Sequence, residues 1–148
     1  MTDLEQARAL TERLRRRFHD RSGIRWAIER KDDRSMIGTC GYPVIAAAAN
    51  RGSIGYELAR RAWGHGFATE AVEAIVAFGH RVMQLRRIDA LVMTGNAGST
   101  AVLRKCGFAR EGVLRDYALF NGRYHDMEMF AHLHRDTTGA GQPPAPLA

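Results

Sequence analysis

Residues 54–70, Ile-Gly-Tyr-Glu-Leu-Ala-Arg-Arg-Ala-Trp-Gly-His-Gly-Phe-Ala-Thr-Glu, limit what this chain can fold into more than any other stretch. Ile54, Tyr56 and Leu58 alternate with Gly55 and Glu57, the period of a strand. Gly64 and Gly66 follow, and then Phe67, Ala71, Ile75, Phe78 and Val82 recur at three- and four-residue steps, the period of an amphipathic helix. The unit is strand, glycine loop, helix. At such a junction unpaired N–H groups and the positive end of the helix converge, which suits a phosphate or pyrophosphate. Glycine lets the backbone approach an anion closely and take a positive φ.

The rest of the chain arranges itself around that unit. Residues 3–19 put Leu4, Ala7, Leu14 and Phe18 on one side, with glutamate early and arginine late, as a helix dipole favours. Residues 24–29 and 36–45 read as paired strands, with Pro43 marking a bend or an edge. Residues 46–50 fit a strand end or a loop equally well, and Arg51-Gly52 reads as a turn. A second good strand over residues 87–94 lies one helix beyond the first, which predicts a right-handed βαβ crossover. A short helix over 97–105 ends at Gly107. Strands near 113–120 and 124–132 are joined by Asn121-Gly122, the strongest short hairpin signal. The expected class is α+β, a mixed and mostly antiparallel sheet flanked by helices with one crossover at the ligand site. One domain spans residues 1–135, and the Gly-, Pro- and Thr-rich residues 136–148 have the composition of a disordered tail.

Composition excludes several classes. A length of 148 residues supports one real core. No apolar run nears the ~20 residues of a membrane span, and the start is no signal peptide. Cys40 and Cys106 make neither a disulfide framework nor a zinc signature, so the cytoplasm is the expected compartment. The net charge of +6 allows an acidic ligand, but Arg13, Arg15, Arg16, Arg17 and Arg21 read first as a solvated helix face. Nucleic-acid binding would want stacking aromatics or a known module, and neither is seen. His132, His134 and Asp136 resemble a metal trio but lack a fourth ligand, so exposed terminal histidines are expected and no metal.

Three glycine-loop readings compete. The Walker A pattern is absent. A dinucleotide fingerprint wants a small residue where Thr69 stands, and an acidic residue late in the next strand, where Asp89 comes early. In the third, Arg61-Ala62-Trp63-Gly64-His65-Gly66 matches the Arg/Gln-x-x-Gly-x-Gly/Ala loop that holds acyl-CoA in the GNAT superfamily of N-acetyltransferases. The fuller stretch resembles the branch that acetylates N-termini of ribosomal proteins, as do Asn96-Ala-Gly-Ser99, Lys105-Cys-Gly-Phe108 with Glu111-Gly112, and Asn121-Gly-Arg-Tyr-His-Asp126. The resemblance covers residues 24–131 in order. Relative to the family pattern the chain begins after the usual first strand and helix, which would leave the strand over 24–29 with an unpaired side.

The resemblance implies a GNAT-like fold and direct transfer of an acetyl group from acetyl-CoA to an amine, with no metal. The backbone of Arg61, Gly64, His65 and Gly66 and the helix start at Ala68 would hold the pyrophosphate. The strand ending at Leu58 would take pantetheine, with a backbone N–H polarising the thioester carbonyl. Asn96 would bond pantetheine; its bland role is a turn residue. Glu57, the only carboxylate on the central strand, is the candidate base, through water, against an ordinary polar position on a sheet face. Ser99 is the candidate acid for the departing thiolate, against a helix-capping role; Tyr117 stands second. His65 matters through its N–H rather than its ring.

The acceptor would be a primary amine, a protein N-terminus or a small molecule. An α-amine of pKa ~8 costs roughly 3 kcal/mol less to deprotonate at neutral pH than a lysine near ~10.4. A homodimer is among the assemblies open to it. The rival reading from another class is a non-catalytic acyl-CoA-binding or regulatory remnant of the same fold.

Overall fold

The computed structural model describes residues 3–138. In chain order they form α1 (Asp3–His19), β1 (Ile24–Glu29), β2 (Met36–Ala46), β3 (Arg51–Leu58), α2 (Phe67–Arg81), β4 (Arg87–Met93), α3 (Ala97–Lys105), β5 (Ala109–Phe120), β6 (Arg123–Leu133) and α4 (His134–Thr138). The strands make one sheet in the order β1-β2-β3-β4-β6-β5. Every neighbouring pair is antiparallel except β3 and β4, which run parallel with α2 as their crossover. The class is α+β, GNAT-like, with β1 at one edge.

Local chemistry explains most boundaries. Asn121 and Gly122 both take positive φ, 50° and 70°, the geometry of a two-residue hairpin turn, and close β5 on β6. Gly107 (φ 84°) ends α3, with the Phe108 N–H reaching back to the Leu103 carbonyl at 3.0 Å. Pro43 falls where the β2–β3 register slips between Gly41 and Val44, so the strand absorbs its missing donor in a bulge.

Two expectations are corrected and one open stretch is resolved. Arg51-Gly52 is no turn but the start of β3, because both residues pair with β2 and β4. Ala47–Ala49 form a single 3-10 turn. Asp136 belongs to α4, where its carboxylate accepts the Leu133 N–H at 2.8 Å. The remainder of the expected tail, residues 139–148, lies outside the described residues.

The core sits between the sheet and the face carrying α2 and α3. Tyr42, Val72, Ile88, Leu103 and Phe130 are fully buried there, each apolar side chain contributing roughly 1.5–3 kcal/mol. The Tyr42 hydroxyl donates to the Ile75 carbonyl at 2.5 Å, so its one polar group is satisfied inside that core. Helix α1 lies over the opposite face, its Leu10 and Leu14 across from Arg25, Thr39 and Glu57. Among the described residues no helix is long and apolar enough to cross a membrane.

Candidate functional site

The site begins where the sheet divides. Strands β3 and β4 pair only through Arg51–Arg87, Gly52–Ile88 and Ser53–Asp89, and beyond Ser53 they part. Ser53 donates its hydroxyl to Asp89 at that last pair, and Arg87 bridges Asp89 (3.3 Å) and both oxygens of Glu111 (3.0 and 2.7 Å). On its other side β3 stays paired with β2, and the Ala59 N–H goes to the Ile37 carbonyl at 2.8 Å. Antiparallel alternation then turns the N–H and C=O of Tyr56 and Leu58 away from β2 and toward the gap. The result is a wedge with one peptide edge free of a strand partner.

The chain leaves β3 through a short 3-10 turn, Arg60–Ala62, and enters α2 through the glycine loop. Gly64 (φ 78°) and Gly66 (φ 80°) are both left-handed, and a Cβ built on either would meet no protein atom within 4 Å. No side chain caps the N-terminus of α2. Open space over two left-handed glycines, beside orphaned helix N–H groups, fits an anion such as a diphosphate.

The side chains around the loop turn mostly to structural work. The Trp63 indole donates to the Leu58 carbonyl at 3.0 Å, pinning the loop to the end of β3, while the Arg60 guanidinium lies 5.5 Å from its ring. The Arg61 guanidinium reaches the Met36 carbonyl at 3.2 Å, so Arg61 meets the loop through its backbone. The His65 ring bonds the Trp63 carbonyl through Nδ1 at 2.8 Å and stacks on Phe67. Ala68 is half-buried in the first turn of α2.

The two candidate catalytic residues stand on elements that meet. Glu57 points to the face opposite Tyr56, largely exposed, with its carboxylate 3.8 Å from the Arg25 guanidinium. Tyr56, next to it, sends its hydroxyl to the Ser99 carbonyl at 3.4 Å, joining β3 to the first turn of α3. Burial raises the pKa of that phenol. The cap of α3 is Asn96, whose side chain accepts the Ser99 N–H at 3.1 Å, so the Ser99 hydroxyl is not the cap. Tyr117 is exposed on β5. Cys106, whose thiol is pushed up to about 11 chiefly by burial, bonds the Thr69 carbonyl at 3.6 Å and ties α3 to the start of α2.

His132 is not an exposed terminal residue. It is 6% exposed and its Nδ1 lies 2.9 Å from Nε2 of His80, itself 3% exposed. Nδ1 of His80 faces the Leu85 carbonyl at 2.9 Å, so it carries the proton there and Nε2 accepts from His132. The shared bond excludes charge on both rings at once, since two N–H groups would then face each other. Burial first depresses both pKa values; at His80 the Leu85 carbonyl and Asp136 oppose it while His134 adds to it, and at His132 the neighbouring His80 adds to it with Asp136 opposing. Among the described residues no group of His, Cys, Asp or Glu is arranged to hold a metal.

The unfolded chain titrates near the ordinary value of 6.5 while the native rings titrate lower, so the unfolded state binds more protons between the two. Stability is therefore complete above about pH 6.5 and lost as pH falls below it. Thermal melts should show a steady Tm from pH 8 to 7 and a fall from pH 6.5 to 5. The His80→Asn, His132→Leu double variant should flatten that fall; an unchanged slope would assign it to other groups.

Comparison with known proteins agrees with this geometry. A family model described as an acetyltransferase (GNAT) domain matches residues 1–109. The N-acetyltransferase YoaA of Bacillus subtilis (strain 168) is 38% identical over 131 residues, 88% of this chain and 74% of its own length. The ribosomal protein uS5-alanine N-acetyltransferase of Escherichia coli (strain K12) is 29% identical over 108 residues, 72% of this chain and 56% of that protein. The microcin C7 self-immunity acetyltransferase MccE, solved with acetyl-CoA and AMP, superposes with a TM-score of 0.81 at 21% identity, covering 89% of this chain and 72% of MccE.

Proposed function

This chain belongs to the GNAT acetyltransferase family and is an acetyl-CoA-dependent N-acetyltransferase, and from that premise we propose that it acetylates a primary amine, a peptide N-terminus or the amine of a small molecule, by direct attack. One observation carries the reading: the wedge between β3 and β4 opens beside an uncapped helix start with two left-handed glycines. An extended acyl carrier fits there as a partial extra strand, its diphosphate end at the loop.

The residues divide the work. Backbone groups of Arg61, Gly64, His65, Gly66 and Ala68 hold the diphosphate, and the edge ending at Leu58 aligns the pantetheine arm, with Asn96 at the far wall. The Leu58 N–H, turned into the wedge, steadies negative charge on the carbonyl oxygen. Glu57 accepts the proton that the amine must lose, through water. Ser99 gives a proton to the departing thiolate as the carbon–sulfur bond breaks, which leaves coenzyme A as the free thiol. The unpaired thiols Cys40 and Cys106 suit a reducing compartment, and the cytoplasm is where we place the enzyme.

The test is thiol release from acetyl-CoA with N-terminal peptides and small amines. Glu57→Gln should lower kcat about 100-fold while leaving acetyl-CoA affinity within about two-fold, in the range a general base supplies. Ser99→Ala should lower it about tenfold. Tight acetyl-CoA binding with no thiol release across the panel would favour a non-catalytic binding domain instead.

A further inference from the structure

A hollow of about 610 Å³ lies on the sheet face opposite α2, between α1 and strands β1 to β3. Arg13 and Arg17 of α1 and Arg25 of β1 stand in its wall, with Glu57 as the one carboxylate. Internal partners absorb little of that charge. Arg17 spends one nitrogen on the Pro43 carbonyl at 3.0 Å, a neutral acceptor, with the exposed Asp20 as a counter-charge beyond ion-pair distance. Arg25 is held on the Thr39 hydroxyl and sits 3.8 Å from Glu57. Arg13 has no ion-pair partner among the described residues. The hollow thus carries three guanidiniums against one carboxylate, and its volume is that of a small-ligand site.

Guanidinium is built to hold carboxylate and phosphate oxygens in a fork. The carboxylate assigned above as base lines the same hollow, so an amine seated in it beside Glu57 lies among these arginines. A polycation would be repelled there, and a neutral amine would leave the guanidiniums unpaired. We propose that the acceptor carries a carboxylate or phosphate on the same molecule as its amine, the anion resting on Arg13 and Arg17 while the amine faces Glu57. The inference rests on the transferase reading and on Glu57 in particular. It deepens that reading by excluding free polyamines and favouring acidic amino-acid, short-peptide or phosphorylated amines.

Thiol release is compared for Asp-Ala against Asn-Ala-amide, for phosphoethanolamine against ethanolamine, and for spermidine. At least one anion-bearing probe should exceed its partner without the anionic group by about tenfold in kcat/KM, the size expected of a partly screened charge pair. The pair that shows the gain tells carboxylate from phosphate. Arg13→Glu should raise KM for that probe about tenfold with kcat nearly unchanged. Equal or better turnover of spermidine or of the amines without an anionic group would overturn the proposal and leave the transferase reading standing. If no amine releases thiol, the transferase reading itself fails. The hollow is then judged by calorimetric binding of Asp-Ala and phosphoethanolamine to the coenzyme-loaded protein: binding lost in Arg13→Glu supports it, and no binding overturns it.

Discussion

Gly64→Val is expected to raise the dissociation constant for acetyl-CoA more than about 100-fold, a loss of roughly 2.7 kcal/mol. Two effects act in the same direction. At φ 78° a branched side chain sits where L-residues rarely go, at a cost of about 1–2 kcal/mol that the loop relieves by abandoning its shape. If the loop keeps its shape, the side chain fills space that no protein atom occupies and that the anion needs. Because a Cβ there meets no residue beyond its chain neighbours, the fold should survive, with circular dichroism unchanged. Gly64→Ala, with less bulk, should lose less. Calorimetry on the three proteins decides the matter, and wild-type affinity in the valine variant would put the diphosphate somewhere other than this loop.

The second large effect concerns stability at the apex of the wedge. Arg87→Leu should destabilise the protein by about 2–3 kcal/mol, less than the figure for a fully buried pair because the guanidinium is partly exposed. The variant leaves the Asp89 carboxylate, 9% exposed, with only the Ser53 hydroxyl for a partner. A midpoint drop of about 5–10 °C follows for a chain of this size. The double variant Asp89→Asn, Arg87→Leu should recover more than half of the loss, since the stranded charge and not the missing contact is the main penalty. A drop below about 2 °C would mean that water already reaches Asp89.

What could be read from the amino-acid order was local. The glycine loop, the helix behind it and the Asn121-Gly122 hairpin each signal through residues a few positions apart, and each formed as expected. The boundaries that shifted depended on distant partners. Arg51 and Gly52 read as a turn by themselves but extend β3 because β2 and β4 flank them. His80 and His132 are 52 positions apart on α2 and β6, so no spacing rule could join them. A buried polar pair of this kind has a weak trace at best, a histidine at a core position of a helix. The Trp63 indole bond to Leu58 likewise depends on how sharply the chain turns through Arg60–Ala62. For the proposed catalytic pair, the alternation of β3 did foretell that Glu57 would face away from Tyr56. Only the folded chain brings Tyr56 against the start of α3.

The placement of the indoles has a practical side. Of the two tryptophans in the chain, Trp26 is half-buried and wedged edge-on against Phe78 and Tyr42, whereas Trp63 lies 59% exposed at the lip of the glycine loop. Emission from the first reports on whether the molecule is folded, and emission from the second on what stands at the loop. Replacing Trp26 by phenylalanine would leave a single tryptophan at the mouth of the wedge, and ligand arrival could be followed by its emission without attaching any label.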